Sequence, residues 1–328
     1  MIWHEFKALG TDIIFLAEIG EEQRSLFFEA ENVIRDFEHN FSRFIGDSEL
    51  SKFNESSAET YCASETLSEL LSQAQKYFTL TAGIFDPTII QSLELIGYDK
   101  SFELIGSKDE KETSPKISLD EIRETFWRRP KFNQLKVKGQ KITRPSGLRV
   151  DFGGIGKGYI VDYLAKNNFK AIQNFWISAG GDILAQGNSA EKIGWDIGIQ
   201  NPWQPLENIT SINTRSEKLG IATSGIIKRR GENNGIVWNH LIDPRSGLPV
   251  ENNILSVTLI AAGAMRADIF AKTVLILGME AGLALVEQES DLAAVIFTKD
   301  ERRIYSSRFP KYLNTYEKTK YIKKNHLN

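Results

Sequence analysis

The chain has 328 residues, 41% of them hydrophobic and 25% charged, with a formal net charge of −3. That balance describes a globular chain with room for a large core and two lobes, gives no basic face for nucleic acid, and its single cysteine, Cys62, excludes an internal disulfide framework or a Cys-based structural zinc site. No uninterrupted apolar run is long enough for a membrane span, and the opening MIWHEFKALG lacks a basic region followed by an apolar stretch, so a cytoplasmic location is expected unless a leader has been removed.

In chain order, Phe6 to Ile19 reads as a strand interrupted at Gly10 and Thr11. Glu29 to Phe44 has helical spacing, with Ile34, Phe37 and Phe41 on one side. SRFIGDSELSKFN follows, where Asp47 or Ser48 is placed to cap a short helical turn. Leu67 to Phe78 is a helix, ended by TLTAGIFDPTI, in which Gly83 and Pro87 bracket Phe85 and Asp86. The charged, turn-rich region 101–115 is predicted to be a surface loop. Leu148, Val150 and Phe152 form a β-favouring lead-in to three glycines, after which Ile160, Val161, Leu164 and Ala165 recur at helical spacing.

Strands are expected at Phe175–Ile177, Trp195–Gln200 and Ser211–Asn213, with a polar turn at ATSG (222–225). Lys228, Arg229 and Arg230 precede GENNG, a hairpin turn. The strand ILSVTLIAA is followed by a helix from about Met265 to Leu277 that carries Asp268 and Lys272 on one face at i,i+4. A helix near Glu280 to Glu287 and the strand AAVIFT complete the pattern, and the Lys-rich tail after Phe309 is expected to be peripheral. The irregular alternation, without internal repeats, predicts a mixed α/β fold and no doubly wound βαβ series.

The densest chemistry lies in VDFGGIGKGYIVDYLA (150–165), read as strand, tight turn and helix with Asp151 at the strand end and Lys157 near the helix start. Glycines let backbone N–H groups approach a ligand, and a helix N-terminus attracts anions. The competing reading is a turn in which glycine solves only a steric problem. The spacing GGxGKG matches neither the P-loop nor the dinucleotide-binding turn. Glycine-rich turns at 153–158, 180–181 and 225, with Asp86, Asp151, Asp182, Asp243 and Asp268, suggest a cleft for a phosphorylated ligand and a hard cation such as Mg²⁺. The four histidines (His4, His39, His240, His326) show no pairing that would favour zinc. Each residue also has a structural reading. Asp86 and Asp243 precede prolines and can start turns, Asp182 can cap one, Asp268 can be a helix-terminal charge, and His240 can simply pack.

Taken together, LGT (9–11), SRFIGDSELSKFN (42–54), TAGIFDPT (81–88), DFGGIGKGYIVD (151–162), SAGGDILAQG (178–187), TSG (223–225), HLIDPRSGLP (240–249) and ADIFAKTVLILG (267–278) resemble the ApbE family of FAD:protein FMN transferases over roughly residues 5–305. The resemblance implies an ApbE-like α/β fold of two intimately packed lobes around a ligand cleft. It treats 1–310 as one flavin transferase domain and 311–328 as a polar tail. It also implies a Mg²⁺-dependent enzyme that takes FAD, attaches FMN by a phosphoester bond to a Thr or Ser of an acceptor flavoprotein, and releases AMP. Carried onto this chain, Leu9, Phe44, Ile84, Phe85, Asp86, Asp151, Lys157 and Ile242 would contact the dinucleotide. Gly154, through a backbone carbonyl, and Asp268 would hold the metal. His240 would be the general base, with Asp268 and Lys157 serving catalysis at the phosphates.

This chain departs from the family pattern in three places. Leu9 stands where Met is common and Phe44 where Tyr is common. Lys272 stands where the helix usually supplies a metal-binding Thr, with Thr273 one residue later. One residue turns a helix by about 100°, so Thr273 does not replace that ligand without a shift. A lysine ammonium cannot coordinate a metal, but it can pair with Asp268 or touch a phosphate. The alternative function is therefore an FAD-binding protein with altered catalysis, either storing or sensing flavin or slowly hydrolysing FAD.

Overall fold

A computed structural model of the chain describes residues 1–99, 118–233 and 236–314. Among these, the α-helices are α1 (Ser25–Phe41), α2 (Glu49–Glu55), α3 (Glu65–Leu80), α4 (Ile90–Leu95), α5 (Leu119–Arg128), α6 (Gly156–Asn167), α7 (Ala264–Leu277) and α8 (Met279–Gln288). The expected loop at 101–115 and residues 234–235, the last two of GENNG, lie outside the described residues. Gly231, Glu232 and Asn233 belong not to a turn but to the strand Arg230–Asn233, which pairs antiparallel with Ile236–Asn239. No described helix is long and apolar enough to cross a membrane.

The fold is mixed α/β and divides into two interleaved units. The first comprises residues 1–34, 157–225 and 252–314, and the second comprises Arg35–Gly156 and Ile226–Glu251. The first unit is built on an 8-stranded sheet. From edge to edge it runs Ile2–Ala8, Thr11–Ala17, Phe175–Ala179, Asp182–Gly187, Ser216–Gly225, Ile254–Ala261, Ala293–Thr298 and Arg303–Tyr305. Every neighbouring pair is antiparallel, as the absence of a βαβ rhythm predicts. The break expected at Gly10 and Thr11 is a two-residue hairpin: Ala8 faces Thr11, while Leu9 and Gly10 both take positive φ, 57° and 61°. This is the twist a two-residue loop between antiparallel strands demands.

ATSG is not a turn. Ala222, Thr223 and Ser224 lie inside the strand Ser216–Gly225, and Thr223 pairs with Thr258 across the ladder, hydroxyl to hydroxyl at 2.8 Å. α7 packs against this strand, and its start comes close at Gly220, where a Cβ would run into the backbone of Gly263 and Ala264. Tyr312 and Leu313, beyond Phe309, likewise do not belong to a peripheral tail. They are buried in the cluster around Trp195, Ile212 and Phe297, and the Asn213 N–H donates to the Tyr312 carbonyl at 2.8 Å. Residues 315–328 lie outside the described part.

α7 is apolar almost all round, with Ala267, Ile269, Phe270, Ala271, Val274 and Leu275 buried, which is the pattern of a core helix. Its N-cap, Gly263, offers no side chain. Asp162 of α6 supplies the cap instead, accepting from the Ala264 and Met265 N–H groups. The two helices approach closely at Gly158, where a Cβ would run into the backbone of Met265 and Ala264.

In the second unit, Ser48 caps α2 by accepting from the Ser51 N–H, as its position predicts. α1 stops at Phe41, three residues short of Phe44, and leaves that ring 40% exposed in the following turn. The lead-in at 148–152 is not a strand. Its chain partners are the Asn54 amide, which both donates to and accepts from Val150, and the Pro87 carbonyl, which accepts from the Asp151 N–H. A side-chain amide thus does there what a neighbouring strand would do.

Candidate functional site

Two groups of the residues singled out above assemble, one in each unit. In the first unit Lys157, in the first turn of α6, donates to Asp182, which opens the strand after the Gly180–Gly181 hairpin. On α7, Lys272 donates to Asp268 one turn earlier, the i,i+4 pairing its spacing predicts. The two pairs are close enough to interact. Burial, then the charge of Asp268, push the Asp182 carboxyl above its ordinary range, while Lys157 and Lys272 oppose the shift. Both carboxylate side chains are 2% exposed, whereas those of Lys157 and Lys272 are 20% and 15% exposed. The anions therefore lie beneath and the cations toward solvent. Leu9 belongs to this unit as well, at its hairpin turn.

In the second unit Arg43 joins Phe44 to Asp151. Its Nε pairs with Asp151 at 2.6 Å, and its Nη2 donates to the Tyr98 carbonyl at 2.5 Å. Its guanidinium lies 4.3 Å from the centre of the Phe44 ring and 5.2 Å from that of Tyr98. Tyr98 in turn lies against Trp238. Asp151 also accepts from the Gly153 N–H, shaping the glycine turn that contains Gly154. Sequence reading missed Arg43, although it adjoins Phe44. Arg129 is missed as well, and Asp182 is singled out among the acids but not as a partner of Lys157.

Asp86 is fully engaged: Oδ1 accepts from the Thr88 N–H and hydroxyl, and Oδ2 takes Arg129 at 2.5 Å. It caps the turn at Pro87–Ile89, in keeping with its structural reading. Ile84 and Phe85 beside it are buried. Ile242 sits among Leu93, Ile96, Ile122 and Trp238. His240 Nδ1 lies 3.3 Å from the Arg229 carbonyl. A carbonyl only accepts, so this contact places a proton on Nδ1.

The donor set does not fit the Mg²⁺ that the resemblance implies. Oδ1 of Asp268 receives Lys272, and Oδ2 is left as a buried atom with no hydrogen-bond partner. Thr273 is turned away, its hydroxyl donating to the Ile269 carbonyl at 2.8 Å. Among the described residues no group of three or more His, Cys, Asp or Glu side chains could hold a metal ion. A divalent ion on Oδ2 would share this carboxylate with the Lys272 ammonium, a like charge that repels it.

The ApbE family profile matches residues 10–296. The FAD:protein FMN transferase of Vibrio cholerae is 26% identical over 298 residues, covering 89% of this chain and 86% of its own. That of Haemophilus influenzae is 28% identical over 305 residues, covering 88% and 84%. That of Escherichia coli K12 is 28% identical over 261 residues, covering 79% and 72%. The crystal structure of the ApbE protein of Thermotoga maritima superposes with a TM-score of 0.82 at 24% identity, over 95% of this chain and 99% of that one. The flavin transferase ApbE of Vibrio cholerae superposes with a TM-score of 0.79 at 24% identity and the same coverage. These two structures share the fold, and the profile spans most of the chain: the protein belongs to the ApbE family.

Proposed function

We propose that the protein binds FAD and transfers its FMN part to a Thr or Ser hydroxyl of an acceptor flavoprotein, with release of AMP. Family membership supports flavin transfer in general, and with it an acceptor protein. The observation that carries the finer reading is that Asp182 pairs with Lys157 and lies close enough to Asp268, distant in sequence, to feel its charge. Their outward ammonium edge suits the pyrophosphate of a dinucleotide.

In this reading the acceptor hydroxyl oxygen attacks the phosphorus on the FMN side and a new P–O bond forms. The pyrophosphate P–O bond breaks, and AMP leaves with the bridging oxygen. The hydroxyl proton passes to Nε2 of His240. Lys157 stabilises negative charge gathering on the phosphoryl oxygens. Leu9, Phe44 and Asp151 hold the dinucleotide.

Incubating the protein with FAD and a candidate acceptor domain, and following both masses, tests this. An acceptor heavier by one FMN with matching AMP is expected. The pairing of Lys272 with Asp268 favours a second reading, FAD binding with altered catalysis. AMP and free FMN without acceptor modification, or bound FAD without any product, would favour that reading.

A further inference from the structure

We propose that Asp182 and Asp268 serve to hold two lysine ammoniums, and that Lys157 and Lys272, in place of a divalent cation at Asp268, neutralise the pyrophosphate of the bound dinucleotide. The inference rests on FAD being the ligand. It makes the site one whose counter-charge is built into the chain.

Three observations converge on it. First, the pairing is matched in formal charge: two carboxylates face two ammoniums, so the four formal charges cancel. Second, the arrangement is layered, with the carboxylates buried and the lysines partly exposed above them. An arriving anion therefore meets the ammonium layer, while an arriving cation would have to displace a lysine or sit beside one. Third, the lysines are held in place. α7 is buried on nearly every side and capped by α6, so Lys272 and Lys157 project from two helices fixed to each other at Asp162 and Gly158. Preorganised charge of this kind stabilises a phosphoryl group without reorganising when the charge develops.

The unpartnered Oδ2 of Asp268 fits the same account. A carboxylate that gives one oxygen to an ammonium and leaves the other bare in a buried site has spare negative charge for Lys272. The ammonium in turn keeps donors for a phosphate oxygen, since it has three in all.

The test uses the full chain freed of metal with EDTA and two probes, Mn²⁺ alone and FAD alone. Electron paramagnetic resonance of Mn²⁺ should show little binding to the wild type and binding at least about tenfold tighter to Lys272→Thr. FAD affinity, read by flavin fluorescence, should be the same for the wild type in EDTA and in excess Mg²⁺, and should fall about tenfold in Lys272→Met but much less in Lys272→Arg. Wild-type Mn²⁺ binding as tight as that of Lys272→Thr would overturn the proposal, and so would FAD binding that requires Mg²⁺. The comparison of wild-type FAD affinity in EDTA and in Mg²⁺ does not depend on a variant folding. If FAD fails to bind in either buffer while Mn²⁺ is still excluded, the flavin reading fails and the pyrophosphate role of the lysines falls with it.

Discussion

Asp162 on α6 caps α7 across the helix interface, its two carboxylate oxygens accepting from the Ala264 N–H at 2.8 Å and the Met265 N–H at 3.0 Å. A helix N-terminus buried without such partners would leave several N–H groups unsatisfied. Because α7 carries Asp268 and Lys272, and α6 carries Lys157, this one carboxylate fixes the spacing of the charged cluster. Asp162→Ala should cost about 2–3 kcal/mol, the range for losing charge-assisted hydrogen bonds that leave buried donors behind. Urea unfolding checks it. A midpoint unchanged from the wild type would show that α7 is held by its apolar packing alone.

The same residue predicts a pH dependence. Burial raises the Asp162 carboxyl above its ordinary value, outweighing the two N–H groups and the charge of Lys218 that lower it. An acid with a raised value binds its proton more tightly folded than unfolded. Its stabilising contribution is therefore full below the unfolded value of about 3.9 and is lost as pH rises through the folded one. Asp162→Asn does not titrate, so it removes this downward slope. Whatever the variant costs at low pH, the gap between it and the wild type should narrow as pH rises through that window, in denaturation curves taken at several pH values. A gap that stays constant would mean the carboxyl does not titrate there.

Arg43 makes a third prediction. Its side chain and that of Asp151 are 6% and 11% exposed, so the pair is buried, and the guanidinium also lies against Phe44 and Tyr98. Lysine keeps the charge but has neither the planar face nor the spread of donors. Arg43→Lys should cost about 2–3 kcal/mol, somewhat less than the outright loss of a buried partner. If Phe44 and Asp151 line the flavin site, FAD affinity falls with it. Wild-type stability in the variant would show that the charge alone matters at Asp151.

The parts of this molecule that were legible in its sequence are those whose partners are close in the chain. α7 was legible because apolar spacing, and the Asp268 to Lys272 interval, are both one-turn relationships. The Ser48 cap and the Arg230–Asn239 hairpin belong to the same class. What escaped depends on partners far away. The 148–152 segment looks like a strand because its side chains are β-favouring, but its hydrogen bonds go to Asn54 and Pro87. ATSG looks like a turn because its residues are small and polar, but it continues a strand whose ladder partners, Ser256 to Leu259, lie more than thirty residues on. Asp182 was visible as a conspicuous acid after two glycines. That it faces Lys157 and feels Asp268 follows only from the sheet that carries it.

Leu9 gives the last prediction, in which stability and binding move in opposite directions. It adopts φ of 57° in the loop between the first two strands, a conformation that costs a residue with a Cβ about 1–2 kcal/mol and costs glycine little. Replacing it by glycine relieves that strain but gives back part of the gain, because a glycine loses more backbone freedom on folding. Leu9→Gly should therefore be stabilised by roughly 0.5–1 kcal/mol, seen as a higher melting temperature. A leucine kept where glycine would be easier needs another reason, and contact between its side chain and the dinucleotide supplies one. The same variant should then bind FAD several-fold more weakly, since burying one aliphatic side chain is worth about 1.5–3 kcal/mol and only part of it is covered by a ligand. A more stable variant with unchanged FAD affinity would remove Leu9 from the binding site. A less stable one would show that its side chain packs within the first unit strongly enough to offset the backbone.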